Sequence, residues 1–409
     1  MAIDTNSFPA DNRDLSMFPG EYGYPFFGKT IEFVKDTLAV CADHYERFGP
    51  VSRLDMVKNQ RVLMCLGPEF NEAALFDPHG NFSAAGGYMG SLGGLYPDGM
   101  LLRDGKKHKK TRRASQPAFK TDALRTYVDM LNPIQSRRID ELKPDEEFIF
   151  YDNIQQTLMD VAAKVFIGLD ETSAEAKMLH KIFENINKGL ITPVPYDLPF
   201  STFRKALKSR ESLRNFLVTK IPERRGTELE DMFSRYCNAK DEDENYLEDV
   251  DIDGHIAFLL FAAFDTTTSA LTNILYYLGK NPEWQEKVRD EINNVSSDIP
   301  SYDDMAEMKL TEYVFQETLR FYPSVMILNR RTTRDVEVGG YEIPANTVVM
   351  ISPPFTHRME EWWTNPLEFD PMRFSPDRAE HKRHGFSYIP FGGGAVSYTH
   401  LTLPTKRIV

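Results

Sequence analysis

Apolar residues Ile31, Val34, Leu38, Cys41 and Tyr45 recur at helical spacing in TIEFVKDTLAVCADHYERFG, which predicts one amphipathic helix stopped by Gly49 and Pro50. VSRLDMV and QRVLMCL then flank Lys58 and Asn59 and read as a β-hairpin. Ile154, Leu158, Val161, Val165 and Phe166 form one apolar stripe in IQQTLMDVAAKVFIGL, a helix facing the core. Three prolines among the apolar residues of LITPVPYDLPFSTF exclude a regular helix and predict a loop or mobile flap. GHIAFLLFAAFDTTTSALTNILYYLG is apolar all round, so this helix is expected to run through the middle of the protein. The acidic run KDEDENYLEDVDID before it is either a solvated face or negative charge suited to a helix N-terminus. The pattern predicts a mainly α fold with small β-sheets near each end.

Composition narrows the partners. The chain has 409 residues, 41% of them hydrophobic, and no linker-like stretch, so it can bury a large core. Its net charge of −13, from 61 acidic and 48 basic residues, argues against nucleic acid or an anionic membrane surface and favours small molecules. Cys41, Cys65 and Cys237 are far apart, which signals neither a disulfide framework nor a zinc site and fits a reducing compartment, the cytoplasm. The N-terminal residues lack a basic flank followed by an apolar run, and no stretch has 18 consecutive apolar residues, so no membrane span is expected.

Three stretches carry candidate chemistry. Asp265, Thr266, Thr267 and Thr268 interrupt the apolar helix, where an acid carries a desolvation cost. Two readings stand: the threonines bond back to carbonyls four residues earlier, or Asp265 brings protons inward and the Thr266 hydroxyl donates to a bound oxygen species. Ala262 and Ala263, just before, leave room for a ligand to approach the backbone. In FQETLRFYP, Glu317 and Arg320 share a helix face at i and i+3. Arg373 of NPLEFDPMRF can fold back on that glutamate, making an ionic lock rather than a catalyst.

AAFDTT, ETLR, FDPMRF and FGGG, in that order, resemble the signature set of cytochrome P450, the haem-thiolate monooxygenases. The resemblance covers about residues 18 to 395 and implies that fold, in a single domain over residues 1–395, C-terminally incomplete. By the same resemblance, His108 and Arg112 of DGKKHKKTRRASQPAF, and Arg330 five residues before Asp335, contact the propionates of haem b. Arginine suits that role because its fork matches a carboxylate. The basic run from Arg103 to Arg113 lies, by resemblance, on the face where electron donors dock.

The family's glycine loop places its ligand cysteine seven residues after the phenylalanine. Phe391 and Gly394 match the loop, but Tyr398 stands at the cysteine position, His400 at the next glycine and Val396 where a propionate-binding residue is common. Three explanations compete: residues 396–409 are a non-native tail; Tyr398 ligates iron as a phenolate, as in catalase; or the protein is a haem-free relative. Cys41, Cys65 and Cys237 follow no glycine loop and are no substitute.

The resemblance implies hydroxylation of a lipophilic small molecule with O2, Asp265 and Thr266 governing proton delivery. AAGGYMGSLGGL sits in no βαβ context, so a separate ferredoxin- or flavodoxin-type donor is implied. The implied pocket draws on residues 83–101, the flap after Leu190, Phe258 to Thr266 and SVMIL, with Phe264, Val325, Met326 and Ile327 as walls. A fatty acid, terpenoid, retinoid or sterol would suit it, with a lean towards bacterial members near the retinoid- and sterol-oxidising branch. The alternative is a haem-poor or inactive fragment, or a lipophile-binding protein.

Overall fold

The computed structural model describes residues 14–57, 60–143, 146–192, 196–241, 244–295, 299–393 and 396–397. Two compact units divide the chain: Met1–Gly90 with Glu312–Val409, and Ser91–Thr311.

The first unit is assembled from both ends of the chain. It opens with α1 (Thr30–Lys35), α2 (Thr37–Phe48), α3 (Pro68–Phe76) and most of α4 (Ala84–Leu92). Its main sheet has the order β1-β2-β3-β8-β5-β4. These strands are β1 (Gly20–Glu21), β2 (Val51–Met56), β3 (Gln60–Cys65), β4 (Phe82–Ser83), β5 (Leu328–Thr332) and β8 (Val348–Ile351). A separate ribbon joins β6 (Val336–Val338) to β7 (Tyr341–Ile343), and another joins β9 (Gly392–Gly393) to β10 (Val396–Ser397). The predicted hairpin forms: β2 and β3 pair antiparallel from Val51 with Cys65 to Met56 with Gln60, while Lys58 and Asn59 lie outside the described residues.

Strand alternation feeds two apolar clusters. Leu63 and Cys65 of β3 pack with Phe70, Leu75, Val349 and Ile389. Val62 and Met64 turn the other way, to Phe33, Cys41, Leu54 and Val348.

The single helix expected before the hairpin is two helices. Asp36 leaves helical geometry (φ −152°, ψ 85°), and its carboxylate accepts from the Ala39 N–H at 2.9 Å, capping α2. The break resets the helical phase. Phe33, Cys41 and His44 are buried, whereas Ile31, Val34 and Tyr45 of the expected stripe are exposed.

The second unit is helical. It contains α5 (Gly105–Ser115), α6 (Thr121–Asp140), α7 (Phe150–Val161), α8 (Ala174–Leu190), α9 (Thr202–Arg224), α10 (Met232–Cys237), α11 (Asp249–Lys280) and α12 (Pro282–Val295). α13 (Lys309–Phe321) begins at its end and lies mostly in the first unit, as does α14 (Pro353–Thr356). α7 continues as a π-helical turn over Ala162–Phe166. Of its expected stripe Val165 is buried and the other four are half-buried. Asp160, which the stripe did not include, is 4% exposed and takes a 2.6 Å bond from Arg138 Nη2. No helix occupies the described residues between Leu190 and Thr202; residues 193–195 lie outside them.

α11 packs against α7, α9 and α10. It is long and apolar enough to cross a membrane by length and composition only, with a mean hydropathy of 1.3 over an 18-residue stretch. Arg210 of α9 grips Asp253 of α11 with two bonds of 2.8 and 3.0 Å and donates to the Leu95 carbonyl at 3.2 Å. Both partners are buried, and the fork satisfies both carboxylate oxygens.

Where α8 meets α9, a Cβ added at Gly189 would lie 2.2 Å from Ala206 Cβ. Glycine costs helix propensity there, so its value is the close approach. We expect Gly189→Ala to destabilise the protein by about 1–3 kcal/mol in urea unfolding. Ala206→Gly in the same chain should recover most of that loss; no recovery would mean the clash is elsewhere.

Candidate functional site

α13 ends in a buried ionic network. Arg320 donates to both Glu317 oxygens, at 2.7 and 3.0 Å, and from Nη1 to the His357 carbonyl at 2.7 Å. Arg373 approaches the same carboxylate at 3.2 Å, and the Asp370 N–H adds a 2.9 Å bond. None of Glu317, Arg320 and Arg373 is more than 1% exposed. Burial pushes the Glu317 carboxyl up against the pull of the two guanidinium groups. A second buried carboxylate, Glu380, meets Arg373 at 3.2 Å. Sequence reading missed it, because DRAEHKR has no apolar period to mark one charge as inward.

Arg373 also holds backbone. Its guanidinium donates to the carbonyls of Thr364, Asn365 and Glu368. These residues have little regular secondary structure, so the side chain supplies the donors that a helix or strand would provide.

The network reaches the glycine loop through His357. Its Nε2 accepts from the Ile389 N–H at 2.8 Å, which leaves Nδ1–H to donate to the Arg320 carbonyl at 3.2 Å. The ring is fully buried, and burial with the Arg320 cation pushes its pKa down to about 3. Tyr388 Oη donates to the Gln316 carbonyl at 2.9 Å, and Phe391 lies 6.4 Å from the Phe315 ring. The loop's entry is thus tied to α13. Gly394 and Tyr398 lie outside the described residues.

In the helical unit, α11 carries Asp265 and Thr266. Thr266 Oγ1 donates to the Ala262 carbonyl at 2.5 Å and Thr268 Oγ1 to that of Phe264 at 2.9 Å, the back-bonding arrangement. Asp265 has exposed surface, yet neighbouring atoms desolvate its carboxyl and hold it above the usual carboxylate range.

α5 presents two different faces. His108 is 2% exposed and its Nε2 has no partner; burial first and Arg112 second lower its pKa. Arg112, one turn on, is half-buried, and desolvation lowers its pKa. Lys106, Lys107, Lys109 and Arg113 are exposed. Arg103 does not belong with them: it is 4% exposed and donates to Asp251 at 2.6 Å and to Thr111 at 2.9 Å. A run of like charges in sequence does not reveal which member turns inward.

The four apolar candidates, Phe264, Val325, Met326 and Ile327, are half-buried. Val325 leans on the cluster of Leu63 and Ile351, and Ile327 on that of Met64 and Val348. Arg330, on β5, is 5% exposed. The three cysteines are buried free thiols; desolvation pushes Cys41 and Cys237 up to about 12 and Cys65 higher still. Among the described residues no group of three or more His, Cys, Asp or Glu could hold a metal ion.

Two outcomes test this geometry. Arg373→Ala leaves buried Glu317 to Arg320 alone and Glu380 to Arg378, and strips its donors from three backbone carbonyls, so it should cost about 3–5 kcal/mol in urea unfolding; a loss below about 1 kcal/mol would contradict the burial. His357 and His255 both have pKa values pushed down to about 3 in the folded chain, against an ordinary value of 6.5. Between those values the unfolded chain binds more protons, so stability is complete above about 6.5 and is lost as pH falls towards 3. His357→Gln should make that fall shallower.

Comparison with known proteins agrees with these features. The cytochrome P450 family model matches residues 18–396. Putative cytochrome P450 136 of Mycobacterium tuberculosis is 31% identical over 395 residues, 94% of this chain and 79% of the relative. Taxane 10-beta-hydroxylase of Taxus cuspidata is 29% identical, over 92% of this chain and 78% of its own. The solved structure "Retinoic acid bound cyanobacterial CYP120A1" superposes with a TM-score of 0.84 at 27% identity, covering 98% of this chain and 88% of that one. Spanning nearly its whole length, these matches establish that the chain belongs to the cytochrome P450 family, the haem-dependent monooxygenases.

Proposed function

We propose that this protein binds haem b and hydroxylates a lipophilic small molecule in the cytoplasm, using O2 and electrons from a separate ferredoxin- or flavodoxin-type donor. One observation carries the haem assignment: His108 Nε2 is buried without a partner, one turn from a desolvated Arg112. An unsatisfied buried nitrogen beside a cation suits a carboxylate acceptor. The residues present therefore fit the propionate end of the group. His108 and Arg112 would hold it, with Arg330 proposed for the same carboxylates.

The iron end does not fit a thiolate. The buried cysteines are held as protonated thiols, and position 398 is tyrosine. When bound, haem supplies the O2 activation that inserts one oxygen atom into a C–H bond.

The chain's own part is proton handling and packing. The raised pKa of Asp265 lets it exchange protons nearer neutral pH than an ordinary carboxylate. Thr266 donates to the Ala262 carbonyl, so handing a proton inward requires that hydrogen to leave the carbonyl first. Phe264, Val325, Met326 and Ile327 are proposed to contact substrate. A taxane in one relative's name and retinoic acid in a solved structure support a terpenoid or retinoid. The exposed lysines of α5 are proposed to meet the acidic donor.

Tyr398 favours a second reading, a lipophile-binding protein that takes little haem. Titrating the purified chain with haem separates the two. We expect one equivalent to bind, and His108→Leu or Arg112→Leu each to weaken binding at least tenfold, since a charge-assisted hydrogen bond contributes about 1.5–3 kcal/mol. No uptake by the unaltered chain would favour the second reading. A thiolate-type Soret band for the reduced carbon monoxide complex would contradict the ligand assignment.

A further inference from the structure

The glycine-rich segment AAGGYMGS forms the start of α4 and packs against β5. β4 pairs with β5 through Phe82 with Thr332 and Ser83 with Arg331, which brings the next turn of chain alongside that strand. Ser83 Oγ then accepts from the Gly86 N–H at 2.7 Å, bending the backbone into the helix. Residues 86–88 meet Asn329 and Arg331 of β5. The Gly86 carbonyl accepts from Arg331 Nε at 3.1 Å, and Tyr88 Oη accepts from the Asn329 N–H at 3.1 Å. A Cβ at Gly87 would lie 2.7 Å from the Asn329 carbonyl carbon and oxygen, so glycine is what permits the approach.

Adjacent arginines on a strand point to opposite faces. Arg331 is engaged on the Gly86 carbonyl and on Asn346 Oδ1 at 3.0 Å. Arg330 is 5% exposed, and its guanidinium folds back to its neighbour's carbonyl, that of Asn329, at 2.8 Å. The Tyr88 hydroxyl and that guanidinium therefore sit at the N–H and the carbonyl of one residue, Asn329.

We infer that Tyr88 is a positioning residue for Arg330: its hydroxyl, anchored on the Asn329 N–H, fixes the guanidinium, and Gly87 lets the tyrosine come close enough to do so. A long arginine side chain has much rotamer freedom, and holding it in advance removes that cost when a carboxylate arrives. The functional consequence rests on the proposed role of Arg330 in holding a haem propionate. The contact itself does not. Burial raises the Tyr88 phenol pKa and the Arg330 cation opposes that rise, which accords with the contact.

The test begins on the chain without added haem. In Tyr88→Phe, which keeps the ring, exchange of the Arg330 Nε–H measured by ¹⁵N NMR should speed up at least tenfold; a change within twofold overturns the inference. The Tyr88 phenol, assigned by its loss in Tyr88→Phe, should titrate higher in Arg330→Gln and return in Arg330→Lys. A general packing role would leave that titration unmoved, and an unmoved titration overturns the inference as well. With haem present, Tyr88→Phe should raise its dissociation constant five- to tenfold. If the unaltered chain takes up no haem, the proposed function fails while the exchange and titration still decide the role of Tyr88.

Discussion

One buried carboxylate between two guanidinium groups organises the carboxyl-terminal part of the unit built from both chain ends. Glu317 sits in a medium where a lone charge is unsupportable, and Arg320 and Arg373 make it tolerable. The same two arginines serve backbone carbonyls at 357, 364, 365 and 368. A stretch with few helical or strand bonds of its own is thereby given a fixed path. Through the neutral ring of His357 that path extends to Ile389, two residues before Phe391. The approach to the glycine loop, Tyr388 to Phe391, is in this sense held by a salt bridge on α13.

The helical unit uses polar groups differently. On α11 Thr266 and Thr268 donate to carbonyls of their own helix, which lets hydroxyls sit in an apolar run. On α5, burial has been imposed on an imidazole whose outer nitrogen has nothing to bond, beside an arginine that desolvation has made less comfortable as a cation. Such an arrangement is costly unless something anionic completes it. The Glu317 network is closed, whereas on α5 the Nε2 of His108 is left unsatisfied.

How much was legible follows from the range of each interaction. The hairpin, the long apolar helix and the Glu317–Arg320 spacing depend on neighbours a few residues away, and periodicity reveals them. The family motifs singled out His108, Arg112 and Arg330, each in a recognisable local pattern, for the propionate role proposed above. The break at Asp36 was hidden because a capping aspartate inside an apolar repeat looks like one more polar position. Glu380, His357 and Tyr88 were hidden for another reason. Their partners are distant in sequence or their surroundings irregular, so no spacing rule singles them out. Residues 394, 395 and 398–409, on which the iron ligand depends, lie outside the described residues.

The sheet order has a consequence for how the protein is made. β3 pairs in parallel with β8, joining Val62 to Val348, so the central strands of the sheet come from opposite ends of the chain. A ribosome delivers Ser91–Thr311, a compact unit, as one continuous piece. The sheet must wait until residue 351 has emerged, holding β2 and β3 as a solitary hairpin in the meantime, and such hairpins are marginal in water. Closure of that long loop is then the slow event of folding, and the exposed edge of β3 is where a chaperone has most to protect.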